Sequence, residues 1–575
     1  MIGSVMNQTQ AKRWRISPVI PPSVQRQLGE FHPVVAQVLY NRGINTAAEA
    51  QQFLGDGTLD ANPFDLADMS KAVARIRQAI RNQEPIAVYG DFDTDGVTAT
   101  ALLVQALRAL GAIVEPYIPH RVEEGYGLNT TALSMLAQDG FRLVITVDCG
   151  IRDLDAVADS VSLGLDMIVT DHHSVGPILP AALAVIDPKR EDCQFPEKML
   201  AGVGVAYFLA DALLRVAHQL NEPVALDAED LLDLVAIGTV ADLVPLDRPL
   251  NRALVRRGLK VLNTARRPGL YALIEAAGLR PGQVNSTSIG FALGPRLNAA
   301  GRLESASQAC ELLTTSDLSE AVALAAELNA LNIRRQDETR LAQIKVRELA
   351  LTELEGDLPL IFAADRSFPS GLVGLVAGRL AEEFYRPAVV IEVGEDECRG
   401  SCRSIPEFDI VRALDACADL LIRHGGHSQA AGFSVRRENL FDLKDRLFHL
   451  AEQQLRGQEL RPALMIDAEV PMEQITLELA QALGQLEPFG HRNPQPLLMT
   501  GNVQVLDARR VGKDGAHLKL TLGEMGFRID AIAFRSGEQM DSLPRRVDVA
   551  YHLEVNEWNG RLKPQLNVRD IRPAN

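Results

Sequence analysis

No stretch of the chain stays apolar for the roughly 18–20 residues that a helix needs to cross a bilayer, so a membrane-spanning helical protein is excluded. Cysteine is scarce: Cys149, Cys193, Cys310, Cys398, Cys402 and Cys417 are the only six in 575 residues. Cys398 and Cys402 have loose metal-ligand spacing, but no second Cys or His pair completes a zinc site. Scattered thiols, and an N-terminus (MIGSVMNQTQAKRWRIS) without the charged-then-apolar layout of a secretory signal, lead to the expectation of a cytoplasmic protein. A GxxxxGK[ST] phosphate cradle is also missing, which leaves nucleoside-triphosphate motor chemistry unsupported. Positive charge is short as well, with a net charge of −17. Phosphate binding rests on Lys and Arg, so this balance argues at first against nucleic acid. It does not decide the matter, because an acidic cluster that holds cations inflates the negative count while its ions reverse the local sign. The deficit is also uneven: Gly501–Asn575 carries 12 Lys and Arg against 10 Asp and Glu.

What is present suits a large α/β protein. At 575 residues the chain exceeds a single core, which stops growing near ~250–300 residues. Residues 32–54 and 66–82 read as amphipathic helices. The short apolar runs IAVYGD, IVEPYIP, RLVITVD, DMIVTD and ALAVID then alternate with helix-length segments, the pattern of a parallel sheet covered on both faces. Residues 316–355, rich in Ala, Leu, Glu and Arg, read as one long connecting helix or two. A second strand-and-helix region follows (LPLIFAAD, GLVGLVAGRLAEEF, RPAVVIEV) and closes near HGGHSQAAGFSV, with a further helix over 438–456. Five short strands with turn signals end the chain, as in an oligonucleotide-binding (OB) barrel. The expected layout is a helical lead-in over 1–80, a catalytic α/β domain over 81–315, a connecting helix over 316–355, a second α/β domain over 356–457, and a nucleic-acid-binding OB-like β-barrel over 458–575.

In parallel sheets ligands bind beyond the carboxyl ends of the strands, and the unusual polar residues sit there. The first run ends in Gly90-Asp91-Phe92-Asp93-Thr94-Asp95-Gly96, three carboxylates that repel one another unless cations neutralise them. A solvated acidic turn, a helix cap or part of a calcium loop would look similar, although the Glu at position twelve of such a loop does not follow. The next run ends at Asp148, the third in Asp171-His172-His173, and a helical apolar stretch carries Asp242. Each alone has a structural reading. Together they bring carboxylate and imidazole to one end of one sheet, a donor set that suits Mn2+ or Mg2+. Two such ions about 3.5–4 Å apart serve phosphoester hydrolysis.

At these residues the sequence resembles the DHH phosphoesterase superfamily, and within it the bacterial single-strand-specific exonucleases. The motifs run in family order: YGDFDTDG (Tyr89–Gly96), HRVEEGYGL (His120–Leu128), VDCGI, TDHH, LAGVGVA (Leu200–Ala206), GTVADLVPL, GPRLNAAGRL (Gly294–Leu303), GSCRSIP (Gly400–Pro406) and GGHSQAAG (Gly425–Gly432), the last marking the companion DHHA1 domain. The resemblance implies a DHH domain with a parallel sheet, and 5′→3′ hydrolysis of single-stranded DNA to mononucleotides in recombination and repair. It implies two Mn2+ or Mg2+ ions with Asp93, Asp95, Asp148, His172 and Asp242 as ligands, Asp148 bridging and Asp91 close by. His173 would contact the scissile phosphate, and His427 would face the site across the cleft. Gly425 and Gly426 would let backbone N–H groups approach phosphate. Arg296 and Arg302 of the PRLNAAGR segment, with Asn298 between them, would bind substrate, unless the arginines serve as helix caps or interdomain ion pairs. Arg121, Ser401 and Arg403 would form a pocket for the terminal 5′ phosphate. The implied partners are single-stranded DNA, a single-strand-binding protein and a RecQ-type helicase, with the chain itself a monomer.

Departures from the pattern are the lack of a Trp-His pair before Gly371, where the chain reads Ser367–Gly371 (SFPSG), and PFGHRNP at Pro488–Pro494, whose His491 reads as a linker residue. Three alternatives use the same centre or scaffold. They are a phosphodiesterase for short oligoribonucleotides or cyclic dinucleotides, a pyrophosphatase, and a non-catalytic scaffold of a replication complex.

Overall fold

The computed structural model describes residues 12–120, 124, 127–352, 358–558 and 560–574. Strand β1 (Arg13–Ile16) leads into short helices Pro22–Gln27, Pro33–Asn41 and Ala47–Leu54. Residues 32–54, expected as one helix, are therefore two. Gly43 takes a positive φ of 80°, and Thr46 restarts the chain with a capping box closed by Glu49.

A five-stranded sheet follows: β2 (Ile86–Tyr89), β3 (Val114–Tyr117), β4 (Leu143–Val147), β5 (Asp166–Thr170) and β6 (Ala184–Ile186). They lie in the order β3-β2-β4-β5-β6, all parallel. The chain passes from β2 to one side and then returns to the other, so the order reverses between β2 and β4. That reversal opens a crevice at the carboxyl ends of the two strands. β2 and β4 are buried along their whole length, as expected for strands sandwiched by helices. The helices Met69–Asn82, Thr94–Ala109 and Gly202–Gln219 pack on one face in the largest core, and Leu133, Leu136, Ala156 and Val157 pack on the other.

A single 35-residue helix, Leu318–Thr352, connects to the second α/β domain. There β7 (Ile361–Asp365), β8 (Ala388–Glu392), β9 (Glu397–Arg403), β10 (Leu421–His427) and β11 (Ala430–Arg436) form a sheet in the order β10-β11-β9-β8-β7. Only β7 and β8 pair in parallel within it. The GGHSQAAG segment (Gly425–Gly432) spans the tip of the β10–β11 hairpin.

β12 (Ala463–Ile466) and β13 (Ala468–Glu469) precede the closed barrel of β14 (Leu498–Val511), β15 (His517–Glu524), β16 (Phe527–Ala533), β17 (Arg546–Trp558) and β18 (Arg561–Pro573). β14 pairs with both β15 and β17, and β18 with both β16 and β17, which closes the ring. The barrel strands are longer than expected, up to 14 residues. The lead-in is not a separate unit. β1 pairs in parallel with β12, and Leu28, Val38, Leu39 and Phe53 share one core with Val470, Leu479, Val503 and Tyr551. Among the described residues no helix is long and apolar enough to cross a membrane, and all six cysteines are buried and unbridged.

Candidate metal centre

The turn after β2 is held from three directions. Asp93 caps helix Thr94–Ala109, its Oδ1 accepting from the N–H groups of Asp95 and Gly96 at 2.8 and 3.2 Å. The Asn298 side chain accepts from the Thr94 N–H at 2.8 Å, and the Thr94 hydroxyl donates to the Gly294 carbonyl. Asp95, 1% exposed, turns inward. Its two oxygens accept from the N–H groups of Gly202 and Val203 at 2.6 and 2.9 Å, the positive end of helix Gly202–Gln219. Gly294 starts helix Gly294–Leu303 directly after a π-helical turn, Ile289–Leu293, an irregularity common near functional sites.

The other strand ends converge on the same crevice. Asp148 follows β4 with a left-handed backbone, φ 63°, a conformation that costs on the order of 1 kcal/mol for a residue with a Cβ. After β5, Asp171 accepts from the N–H groups of His172, His173 and Ile151, and holds His173 Nδ1 at 2.7 Å. Asp171 thus orients the two histidines. Asp242 closes helix Leu232–Ala241 as its C-cap.

His172 lies at the centre. Its Nε2 is 3.0 Å from Asp148 Oδ1 and 3.8 Å from Asp95 Oδ2, and its Nδ1 is 3.7 Å from Asp242 Oδ2. Three groups with ligand atoms within 4.8 Å of one another overlap here: Asp148-His172-His173, Asp95-His172-Asp242 and Asp91-Asp93-Asp148. Every residue expected as a ligand from sequence falls in this cluster, together with Asp91 and His173. Burial pushes the Asp95, Asp148 and Asp242 carboxyls well above the ordinary range, and the neighbouring carboxylates push them further. Burial lowers His172. For His173 burial opposes the charge, but the bond to Asp171 outweighs it and lifts the pKa to about 9.

The residues fit divalent metal. Asp148 Oδ1 and His172 Nε2 are buried and neither makes a hydrogen bond among the described residues, although buried polar atoms are nearly always paired. Carboxylates crowded into one buried site ionise together only beside a cation, and oxygen donors with imidazole match Mn2+ or Mg2+.

The remaining expected site residues are distributed as follows. Arg302 donates to the Gly371 carbonyl at 3.2 Å, tying the catalytic domain to the second one. Ser401 and Arg403 lie on β9, the guanidinium donating to the Ser401 hydroxyl at 3.2 Å, beside Gly374 at the first turn of helix Val373–Phe384. Gly425, Gly426 and His427 lie exposed on β10. Arg296 is engaged by Asn329 of the long helix and by the Ala292 carbonyl, and Asn298 holds the Asp93–Thr94 turn. For Arg296 this agrees with the structural alternative the sequence offers, although the partners are an amide and a carbonyl rather than an ion pair; for Asn298 the sequence offers no such role. Arg121 lies outside the described residues.

Sequence reasoning missed Lys189. The β5–β6 register pairs Thr170 with Ile186, so Lys189 follows β6 at the level where His173 follows β5. Asp187, fully buried, accepts from the Lys189 N–H at 2.7 Å and fixes the turn. The Lys189 charge acts on both His172 and Asp242. The signal was available: Asp187-Pro188-Lys189 ends the last parallel run as the other site segments end theirs.

Comparison with known proteins follows the same division of the chain. Models of the DHH family N-terminal domain, the DHHA1 domain and the RecJ OB domain match residues 85–239, 357–453 and 466–570. The chain is 39% identical over 566 residues to the single-stranded-DNA-specific exonuclease RecJ of Bacillus subtilis, covering 97% of this chain and 70% of that protein. It is 37% identical over 575 residues to the RecJ of Dickeya dadantii, covering 96% and 98%. Crystal structures of Thermus thermophilus RecJ with Mn2+ and with Mg2+ superpose with TM-scores of 0.82 and 0.76 at 33% and 32% identity. Each covers 98% of this chain, and 80% and 79% of the respective crystallised chain.

Proposed function

Because the chain belongs to the RecJ family of single-stranded-DNA-specific exonucleases, we propose that it degrades single-stranded DNA from the 5′ end to 5′-mononucleotides. Asp93, Asp95, Asp148, His172 and Asp242 hold two Mn2+ or Mg2+ ions, with Asp91 adjoining. The observation that carries this reading is the pair Asp148 Oδ1 and His172 Nε2, buried 3.0 Å apart inside a ring of carboxylates, neither with a hydrogen bond among the described residues. Asp148 and His172 each belong to two of the three overlapping groups, so the ligand sets meet at this pair; Asp148, with two carboxylate oxygens to offer, would be the bridge.

Bound ions of this kind supply Lewis acidity toward a phosphoryl oxygen and lower the pKa of an attacking water. The chain supplies position. His173, oriented through Nδ1 by Asp171, presents its other ring nitrogen to the scissile phosphate. Arg302 and His427 meet substrate from the two sides of the cleft, with the Gly425 and Gly426 N–H groups beside a phosphate. Arg121, Ser401 and Arg403 receive the terminal 5′ phosphate and so set polarity. Arg296 and Asn298 serve mainly by holding the helix and turn that carry Asp93 and Arg302. The barrel holds the strand by stacking and a mildly basic surface. In repair and recombination the chain acts as a monomer, and a single-strand-binding protein and a RecQ-type helicase are the partners that would deliver its substrate.

The test is product analysis of an oligodeoxynucleotide labelled at its 5′ or 3′ end, with Mn2+, Mg2+ or a chelator. Mononucleotide released from the 5′ end, abolished by chelator, supports the reading. Release from the 3′ end, or activity that survives chelation, rejects it.

A further inference from the structure

The loop that leads into the barrel, Leu486–Asn493, is buckled onto the segment that follows Asp242. The His491 carbonyl accepts from the Leu246 N–H at 2.9 Å. Next to it the Arg492 guanidinium holds the Asp247 carboxylate at 3.0 Å. Gly490 abuts Leu246 so closely that a Cβ there would stand 2.7 Å from Leu246 Cδ1. The buckle is itself rigid. Asn493, fully buried, donates to the Leu486 and Pro488 carbonyls at 2.9 and 2.7 Å.

From the buckle two short paths reach metal-ligand candidates. Along the chain, only Leu243, Val244 and Pro245 separate Leu246 from Asp242, and Leu243 takes a positive φ of 58° that fixes the bend. Across space, Asn251, fully buried, bridges the Pro245 carbonyl at 3.2 Å and the Met199 carbonyl at 2.6 Å. Met199 lies three residues before Gly202, whose N–H, with that of Val203, holds Asp95. One loop of the C-terminal domain is thereby linked, through hydrogen bonds, to the backbone that carries Asp242 and to the helix end whose N–H groups hold Asp95.

We propose that the Leu486–Asn493 buckle is a positioning element of the metal centre, setting Asp242 through Leu246 and Asp95 through Asn251. The inference rests on the reading of the cluster as a divalent-metal site. It makes the loop ahead of the barrel a support of the metal centre. Groups that hold a ligand in place commonly change metal affinity 10–100-fold when altered, and a rigid, two-ended buckle belongs to that class.

The test measures Mn2+ binding to the full chain by calorimetry, without DNA. Gly490→Val drives side-chain atoms into Leu246 and is expected to weaken Mn2+ binding about 10-fold. Gly490→Val with Leu246→Ala returns the space and is expected to recover most of the affinity, the non-additivity that marks direct coupling. Should Gly490→Val not fold, Arg492→Glu decides: set against Asp247 on the surface, it is expected to weaken Mn2+ binding a few-fold while Arg492→Lys retains it. A folded Gly490→Val protein with wild-type Mn2+ affinity overturns the proposal, as does a lowered melting temperature with no change in Mn2+ binding. Wild-type protein that fails to bind Mn2+ overturns the metal reading itself, and the inference with it.

Discussion

Gly202 packs directly against Asp148: a methyl group on its Cα would stand 2.6 Å from the Asp148 Cβ and 2.7 Å from Oδ1. The same residue donates its N–H to Asp95. One glycine therefore sets the distance between two carboxylates that come from different strand ends. Gly202→Ala is expected to displace Asp148 or to pull the helix end away from Asp95, lowering kcat/KM about 10–100-fold and raising the Mn2+ concentration needed for half-maximal activity. Steady-state kinetics over a Mn2+ titration checks this, and unchanged metal dependence would refute it.

Lys189 stands on the side of the cluster formed by β5 and β6, with its charge bearing on His172 and Asp242. Beside a metal centre a cation repels the ions, whereas toward DNA it attracts phosphate. Lys189→Ala is therefore expected to tighten Mn2+ binding while weakening single-stranded DNA. The salt dependence of DNA affinity should fall by a slope of about 0.7, one phosphate contact's worth on a single strand. Calorimetry for Mn2+ and DNA binding over a range of salt concentrations separate the two effects. Loss of both affinities together would mark Lys189 as a structural residue.

Arg403 and Ser401 share a hydrogen bond beside the first turn of helix Val373–Phe384, a place where guanidinium and helix N-terminus both favour phosphate. Arg403→Ala is expected to reduce the preference for 5′-phosphorylated over unphosphorylated ends at least several-fold, and to change degradation from an internal nick much less. The ratio of rates on the two ends is the measurement; a ratio equal to wild type removes Arg403 from the pocket.

Much of this was legible in the sequence because the strand ends announced it. Apolar runs that stop at Asp91, Asp148 and Asp171 need no tertiary information to be placed at one edge of a parallel sheet, and the alternation with helices supplies that sheet. Asp242 was harder, since a carboxylate at a helix end is usually a cap; here it is both the C-cap and a neighbour of His172. The structural work of Asn298 and the particular partners of Arg296 are hidden in the sequence because a side chain's partner depends on packing between helices that sequence spacing does not reveal. The shared core of the lead-in and the barrel was hidden for the same reason: β1 and β12 pair across some 450 residues of chain, and neither segment alone signals the other. One helix over 32–54 is what the apolar spacing predicts, because that spacing continues across Gly43; the break depends on that residue's backbone and on the Thr46 cap.

Arg252 joins the lead-in, the catalytic domain and the buckle at one buried point. Its guanidinium donates to the Phe53 carbonyl at 2.6 Å and to the Leu486 and Glu487 carbonyls at 3.0 and 2.7 Å, and it lies 3.8 Å from the centre of the Phe53 ring. Removing it strands the Phe53 carbonyl, worth about 1–3 kcal/mol, and takes one charged donor each from the Leu486 and Glu487 carbonyls, which keep Asn493 and Arg256. Arg252→Met is expected to destabilise the chain by about 3 kcal/mol or more, read as a lower urea midpoint. A midpoint within error of wild type would show that the junction contributes nothing to folding.

Asp148 and His172 meet at 3.0 Å where the proposed two-ion site would lie, and anomalous diffraction from crystals soaked in Mn2+ examines that site itself. Two anomalous peaks are expected about 3.5–4 Å apart, both within ligand distance of Asp148, with His172 on one of them, and none in an Asp148→Ala crystal treated alike. No peak in the crevice between β2 and β4, or Mn2+ bound only elsewhere on the chain, would contradict it.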